Sequence, residues 1–150
     1  MSLKISSPII EDFYLVESEK LFGDGSESPA KISIRQATQG ANERRSRVFA
    51  EISRVIENEQ EFGSTSVQIR QRWSMEELKR VEVFLTLAGC DIEGADGGPL
   101  FRFNAKNSLA MSENEFNRAW SLLPPVVANE IHEKVLSVNY VWAGTEGEVN

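Results

Sequence analysis

The stretch FNRAWSLLPPVVANEIHEKVLSVNYVW, residues 116–142, decides the architecture of the C-terminal end of this chain. Apolar residues recur at helical spacing on both sides of the proline pair Pro124-Pro125, which predicts two helices joined by a corner. Proline disfavours helical geometry in the residue before it but suits the first turn of a following helix. Upstream, Ser112 and Glu115 have the spacing of a capping box, so the first helix is expected to begin there.

Strands are predicted where apolar and polar residues alternate. Ile32 and Ile34 alternate with polar neighbours, and the same pattern predicts a second strand at 67–70. A third short strand is predicted at 100–103. The short apolar run 13–16 reads either as one strand or as a docking arm. The sequence therefore predicts a sheet of two or three strands, with the strand order left open.

Two more helices are predicted in the middle of the chain. Apolar residues over 42–58 fall on one face of a helix. A second helix is expected to start at a capping box formed by Ser74 and Glu77 and to stop at Gly89. The fold class that follows is α+β: a helix-dominated single domain with a small two- or three-stranded sheet and a C-terminal helix-Pro-Pro-helix corner.

The organisation along the chain fits one domain with two flanking segments. The length of 150 residues is typical of a single domain. Residues 1–28 are expected to form an acidic N-terminal arm that is partly disordered, 29–142 the α+β domain, and 143–150 a flexible tail.

Composition excludes several classes of function. A formal net charge of −7 disfavours binding to nucleic acid, which depends on neutralising phosphates. A single cysteine fits a reducing compartment, and no apolar run approaches the roughly 18 residues of a membrane span. Without a secretory signal at its start, the chain is expected to be cytoplasmic, with no membrane partner.

The residue types that carry catalysis or bind metals do not form a recognisable constellation. His132 is the only histidine, and Cys90 is expected at a helix C-terminus beside Asp91, which opposes formation of a thiolate. The acidic turn from Asp91 to Asp96 lacks the oxygen ligands that an EF-hand needs at its fifth and twelfth positions. We therefore expect no catalytic residue, no metal and no cofactor, and a protein that is not an enzyme.

The candidate binding residues lie at the corner and in the aromatic tail. Trp120 is either core or partner-binding, and Trp142 either folds back to close the core or anchors a partner. The hypothesis is that an apolar partner binds in a groove at this end of the molecule. Its residues are Trp120, Leu123, Pro124, Pro125, Ile131, Tyr140 and Trp142.

A second candidate is the basic cluster Arg44, Arg45 and Arg47 on the first long helix. It reads either as a solvated helix face, with Glu43 and Glu51 nearby, or as a docking site for an acidic partner.

The C-terminal sequence also resembles that of a known protein family. Ala119-Trp120, Leu123-Pro124-Pro125, Val127-Ala128, Glu130-Ile131-His132, Val135-Leu136, Asn139 and Trp142 together resemble the C-terminal segment of tail assembly chaperones from long-tailed bacteriophages. The segment Ile34-Arg35-Gln36 and the arginine-rich helix after it are similar to the middle of those proteins, so the resemblance covers about residues 30–142.

The resemblance implies a non-enzymatic role in virion morphogenesis. Such chaperones bind the tape measure protein in the host cytoplasm, keep it soluble, and then give way to tail tube subunits. The protein would be absent from the mature virion, and a homo-oligomer is compatible with this role. Two alternatives stay open: a structural phage tail or head-tail connector protein, and a small protein-binding adaptor that uses the arginine cluster.

Overall fold

The fold is taken from a computed structural model, which describes residues 2–3, 9–23, 29–59 and 64–143; the side chains of 55–59 and 64–74 lie outside this description. The elements in chain order are β1 (Ile10–Tyr14), α1 (Val16–Phe22), β2 (Lys31–Arg35), α2 (Gln39–Glu59), α3 (Ser64–Thr86), β3 (Leu87–Cys90), α4 (Glu113–Ser121) and α5 (Pro125–Val138). A last helical turn covers 140–143. The predicted class, a helix-dominated α+β fold with a small sheet, is confirmed.

The sheet is antiparallel, in the order β1-β2-β3. Its central strand β2 is the one predicted from alternation, and Ile32 and Ile34 are fully buried as that pattern requires. Gly89 of β3 lies opposite Ser33, and a Cβ atom at this glycine would sit 3.2 Å from the Ser33 hydroxyl oxygen. The absent side chain therefore lets the two strands approach closely.

The outer strand β1 comes from the segment expected to be an acidic arm. Residues 10–14 pair with β2 along their length, and α1 follows directly and packs against α5. Leu15, between β1 and α1, is buried in the main core. The strand interpretation of 13–16 therefore holds for its first two residues, and residues 10–22, which form β1, Leu15 and α1, pack on the rest of the fold rather than forming a separate arm.

Two of the predicted strands are wrong. Residues 67–70 lie inside the long helix α3, because helix formation is cooperative and a four-residue alternation is too short to interrupt it. The segment 100–103 is irregular, with only isolated bridges between Glu93 and Pro99 and between Phe103 and Leu109. The third strand is instead β3 at Leu87–Cys90.

The predicted limits of the second long helix are also wrong. The Ser74–Glu77 spacing does not mark a helix start, since α3 begins ten residues earlier at Ser64. The helix ends at Thr86 rather than Gly89, and the chain passes straight into β3. Leu87 and Ala88 are buried there, so pairing with β2 and burial outweigh the helical pattern. The helix predicted over 42–58 is confirmed as α2.

The C-terminal helices follow the sequence prediction closely. Ser112 caps α4, with its side-chain oxygen accepting from the backbone N–H of Glu115, whose carboxylate closes the box. These bonds to Ser112 and the nearby Arg102 guanidinium hold the pKa of Glu115 below its usual value. Pro124 and Pro125 separate α4 from α5 as expected.

One main core joins the sheet to the C-terminal helices. Its most enclosed side chains include Phe101, Phe116, Ile131 and Val135, and the rings of Phe101 and Phe116 lie 5.4 Å apart, centroid to centroid. A smaller cluster around Ile52 and Leu78 joins α2 to α3. In the part of the chain that the structure describes, no helix is both long enough and apolar enough to cross a membrane.

Candidate functional site

The helix-Pro-Pro-helix corner leaves an apolar edge exposed. Pro124 has φ −59° and ψ 145°, an extended conformation that ends α4 and starts α5 at Pro125. Leu122, just before the corner, is 74% exposed, while Leu123 and Pro124 are half-buried and Pro125 is exposed. The corner therefore presents leucine and proline carbons to the surface.

Three of the predicted partner-binding residues are core residues instead. Trp120 and Ile131 are buried in the main core, and Trp142 is only 4% exposed. Their side chains do not line an accessible groove, so this part of the hypothesis is corrected. Of the two interpretations of Trp142, the structure supports closure of the core. Tyr140 is 76% exposed, but it does not face the corner groove described below.

The tail is fixed to the body by specific polar contacts. The Trp142 indole N–H donates to Asn42 Oδ1 at 3.0 Å, and the Arg45 guanidinium lies 5.6 Å from the Trp142 ring centroid. Asn139 Oδ1 accepts from the Ala37 backbone N–H at 2.8 Å, and Asn139 Nδ2 donates to the Arg35 carbonyl at 3.2 Å. These contacts explain why the Asn139 and Trp142 side chains are buried although they lie beyond the last long helix.

A buried ionic network lies between α2, α3 and α5. Glu82 is fully buried; its two oxygens accept from Arg45 Nε at 2.8 Å and from His132 Nε2 at 2.7 Å. Breaking such a buried pair by removing one partner leaves an uncompensated charge, which typically costs about 3–5 kcal/mol. We interpret the network as structural, because the contacts of both carboxylate oxygens are to groups of the fold itself.

The three arginines of the predicted basic cluster lie in three different environments. Arg45 is buried against Glu82, and Arg44 reaches across to α4, where it binds Glu113 at 2.7 and 3.0 Å. Arg47 alone of the three is exposed, beside a shallow depression of about 380 Å³ on α2. The three arginines therefore do not form one basic surface for an acidic partner.

The sequence does contain an indication of this network, which was missed because only the apolar residues of each helix were considered. Glu82 occupies the position between Leu78 and Leu85 on the apolar stripe of α3. Arg45 occupies the matching position on α2, four residues before Phe49. A charged residue on an apolar stripe is expected to be paired inside the fold.

The Glu130 carboxylate hydrogen-bonds α1 to α5. Glu130 accepts from the backbone N–H groups of Glu17 and Ser18, at 3.0 and 2.9 Å, and from the Ser18 hydroxyl at 2.6 Å. Burial by itself raises the pKa of Glu130, but these hydrogen bonds and the Lys134 charge outweigh it, so the pKa lies below its usual value. The ionised form of Glu130 thus fixes the position of α1.

A groove, called here the corner groove, lies between α1, the loop after β3 and the helix-Pro-Pro-helix corner. Its volume is about 630 Å³, within the range of small-molecule sites. The buried residues Leu15 and Val127 form its floor, and Phe22, Leu123 and Pro124 contribute apolar walls. Phe22 is 56% exposed.

The polar lining of the corner groove is acidic. Glu19, Asp91 and Glu93 line it, and no lysine or arginine belongs to the lining within the described residues. Sequence reasoning missed this site because it set α1 aside with the acidic arm. Of the predicted binding residues, the groove brings together Leu123 and Pro124 only.

Cys90, His132 and the acidic side chains are the residues that were considered for catalysis or metal binding. Over the residues the structure describes, no group of three or more His, Cys, Asp or Glu side chains could hold a metal ion. Burial raises the pKa of the Cys90 thiol to about 12, with a smaller contribution from Asp91 in the same direction, so the thiol is a poor nucleophile. His132 is buried, and its side chain is hydrogen-bonded to Glu82.

Comparison with known proteins adds no relative. No family model matches the chain, and no curated protein or solved structure matches it either.

Proposed function

We propose that this protein is a non-enzymatic tail assembly chaperone of a long-tailed bacteriophage. It binds the tape measure protein in the bacterial host cytoplasm, recruits tail tube subunits, and does not stay in the mature virion. The observation that carries the proposal is the corner groove, an accessible apolar cleft built on the helix-Pro-Pro-helix corner. The resemblance of residues 30–142 to such chaperones supplies the identity of the client.

The physical requirements of the role fit the exposed surface. A chaperone for a long helical client needs an apolar cleft on a charged, soluble body. Phe22 and Leu123 supply apolar carbons at the cleft, and Leu122 extends the apolar surface beside it. The formal net charge of −7 disfavours self-association and keeps a complex with an apolar client in solution.

Co-expression with the tape measure protein of the same phage tests the proposal. With the wild-type chain we expect the client to become soluble and to co-elute on size-exclusion chromatography. Phe22→Asp should abolish co-elution, because it places a charge in the apolar wall of the groove. The matched control is Tyr140→Asp, which changes an exposed aromatic residue outside the groove and should leave co-elution intact.

Two results would contradict the proposal. One is a client that stays insoluble with the wild-type chain while that chain runs alone. The other is recovery of this chain from purified particles in stoichiometric amounts, which would identify a structural tail component. Circular dichroism of each variant checks that the fold is retained.

A further inference from the structure

The lining of the corner groove combines apolar side chains with the carboxylates of Glu19, Asp91 and Glu93, and this combination favours one class of partner. We infer that the groove binds a basic amphipathic helix, with apolar side chains directed into the cleft and lysine or arginine side chains flanking them. This inference rests on the proposed binding function and specifies the chemistry of the segment that is bound.

The carboxylates at the groove differ in their pairing from other acidic side chains of the described residues. Across the described residues, neither Glu19, Asp91 nor Glu93 takes part in a salt bridge, although six other acidic side chains do. The nearest basic residue in the contacts of Asp91 is Lys31, which offers only its backbone N–H at 3.3 Å. The Lys31 ammonium lies 3.8 Å from Asp12 instead. The groove therefore presents negative charge that a basic partner would complement.

The elements that form the apolar walls favour a helix over an extended strand as the bound segment. An amphipathic helix recognised in a groove inserts anchors spaced at i, i+3 or i+4, and i+7. The apolar walls come from one helix end and one helix corner, Phe22 of α1 and Leu123 and Pro124 between α4 and α5. Neither wall offers a strand edge with which an extended peptide could pair.

A second copy of the chain is a poor occupant for the same groove. A two-fold dimer places the same patch of both subunits face to face. The carboxylates of Glu19, Asp91 and Glu93 would then meet their own copies, and like charges brought together across an interface oppose association. A basic segment avoids this repulsion and gains from the same charges.

Designed helical peptides provide the test. The probe is an 18-residue peptide with leucines at i, i+3, i+4 and i+7 and lysines on the flanking positions, labelled for fluorescence anisotropy. The first comparison peptide carries glutamates in place of the lysines, and the second keeps the lysines but scrambles the leucines. We expect the lysine peptide to bind at least about tenfold tighter than the glutamate peptide in 0.1 M NaCl. The difference should shrink in 1 M NaCl, where the screening length falls from about 10 Å to about 3 Å.

Variants of the full chain locate the binding. Glu19→Lys/Glu93→Lys should weaken binding of the lysine peptide at least about tenfold, because it reverses the charge at the groove. The matched control, Glu51→Lys/Glu133→Lys, makes the same change in net charge at exposed helix positions outside the groove and should change the affinity less than about threefold.

Phe22→Asp separates groove binding from general attraction between charges. The change adds one negative charge and removes the apolar side chain that α1 contributes to the groove. Binding in the groove predicts a loss of at least about tenfold for the lysine peptide, whereas association driven by net charge alone predicts tighter binding.

Each contrary result has a definite meaning. Equal affinity for lysine and glutamate peptides, or equal loss in the groove variant and its control, overturns the inference. So does a wild-type dimer that Phe22→Asp converts into a monomer, because the groove would then belong to a second copy. If the tape measure protein co-elutes but the lysine and glutamate peptides bind equally well, the chaperone proposal stands and the inference of a basic helical partner fails. If the lysine peptide binds in the groove but the tape measure protein stays insoluble, the inference of a basic helical partner stands and the chaperone proposal fails.

Discussion

Replacing Trp142 by alanine measures how firmly the aromatic tail closes the core. The side chain is 4% exposed, and a tryptophan buries roughly 150–250 Å². At about 25 cal/mol per Å², that area corresponds to roughly 4–6 kcal/mol, and measured Trp→Ala changes in cores cost about 3–5 kcal/mol. The variant also loses the bond to Asn42 and the ring beneath the Arg45 guanidinium. We therefore expect the free energy of unfolding to fall by about 3–5 kcal/mol.

Urea unfolding followed by far-UV circular dichroism is the assay, because the tryptophan fluorescence changes with the substitution itself. The matched control is Tyr140→Ala, two residues away and 76% exposed, which should change the free energy of unfolding by less than about 0.5 kcal/mol. If Trp142→Ala is unfolded without urea, Trp142→Phe supplies the measurable case. It keeps most of the apolar area but loses the bond to Asn42, at a cost of about 1–2 kcal/mol.

The result that would refute this reasoning is a Trp142→Ala protein as stable as the Tyr140→Ala control. Trp142 would then contribute nothing to the core, and the tail would again be a candidate partner-binding segment. Loss of stability without a change in the m-value indicates that the native fold is retained in the remaining folded molecules.

Two further predictions follow from the shifted pKa values. Since the pKa of Glu130 is lowered in the folded state, its contribution to stability is present above the usual carboxyl pKa of about 4.3 and is lost as the pH falls through the lower folded value. Glu130→Gln should therefore lose about 1.5–3 kcal/mol at pH 7 and depend less on pH between 3 and 5 in urea unfolding; parallel pH profiles for both proteins would contradict this. Because burial raises the pKa of the Cys90 thiol to about 12, we expect the thiol to react with iodoacetamide at pH 8 more than about tenfold more slowly in the native protein than in urea, as followed by mass spectrometry. Rates within tenfold of each other would show that the thiol is not protected.

The parts of the fold that depend on local signals were predictable from the sequence. The strand around Ile32, the helix α2, the capping box at Ser112 and the double-proline corner each follow from a pattern shorter than about 20 residues. In these segments the local preference and the tertiary contacts favour the same conformation, so the pattern alone is sufficient.

The parts that depend on distant pairing were not predictable in the same way. β1 and β3 both owe their conformation to β2, and their own sequences are short and irregular in pattern. The alternation at 67–70 looked more strand-like than Leu87–Cys90, yet it lies in a helix because residues on both sides of it are helical. Strand pairing across dozens of residues decides such cases, and one sequence does not display it.

Most residues of the corner groove were not predicted from the sequence for a related reason. Large aromatic residues near the C-terminus looked like partner anchors, but burial depends on what covers them. Trp142 is covered by contacts from α2, about a hundred residues away. Phe22 stays exposed on a helix whose short sequence offered no periodic pattern. Exposure is a tertiary property, so the sequence pattern left Trp142 open between core and partner contact and did not single out Phe22.

The corner groove is composite, and this has a thermodynamic consequence. One wall comes from α1 and the other from the corner about a hundred residues later, and the two are joined through the bonds of Glu130 to α1. A partner that contacts both walls therefore stabilises the docked position of α1, and by reciprocity a firmly docked α1 raises the affinity for the partner. Protonation of Glu130 removes the charged acceptor that holds α1 through Ser18, which itself lines the groove, so it should weaken partner binding. The affinity of the groove for such a partner should therefore depend on α1, a helix in the segment that was predicted to be an acidic N-terminal arm.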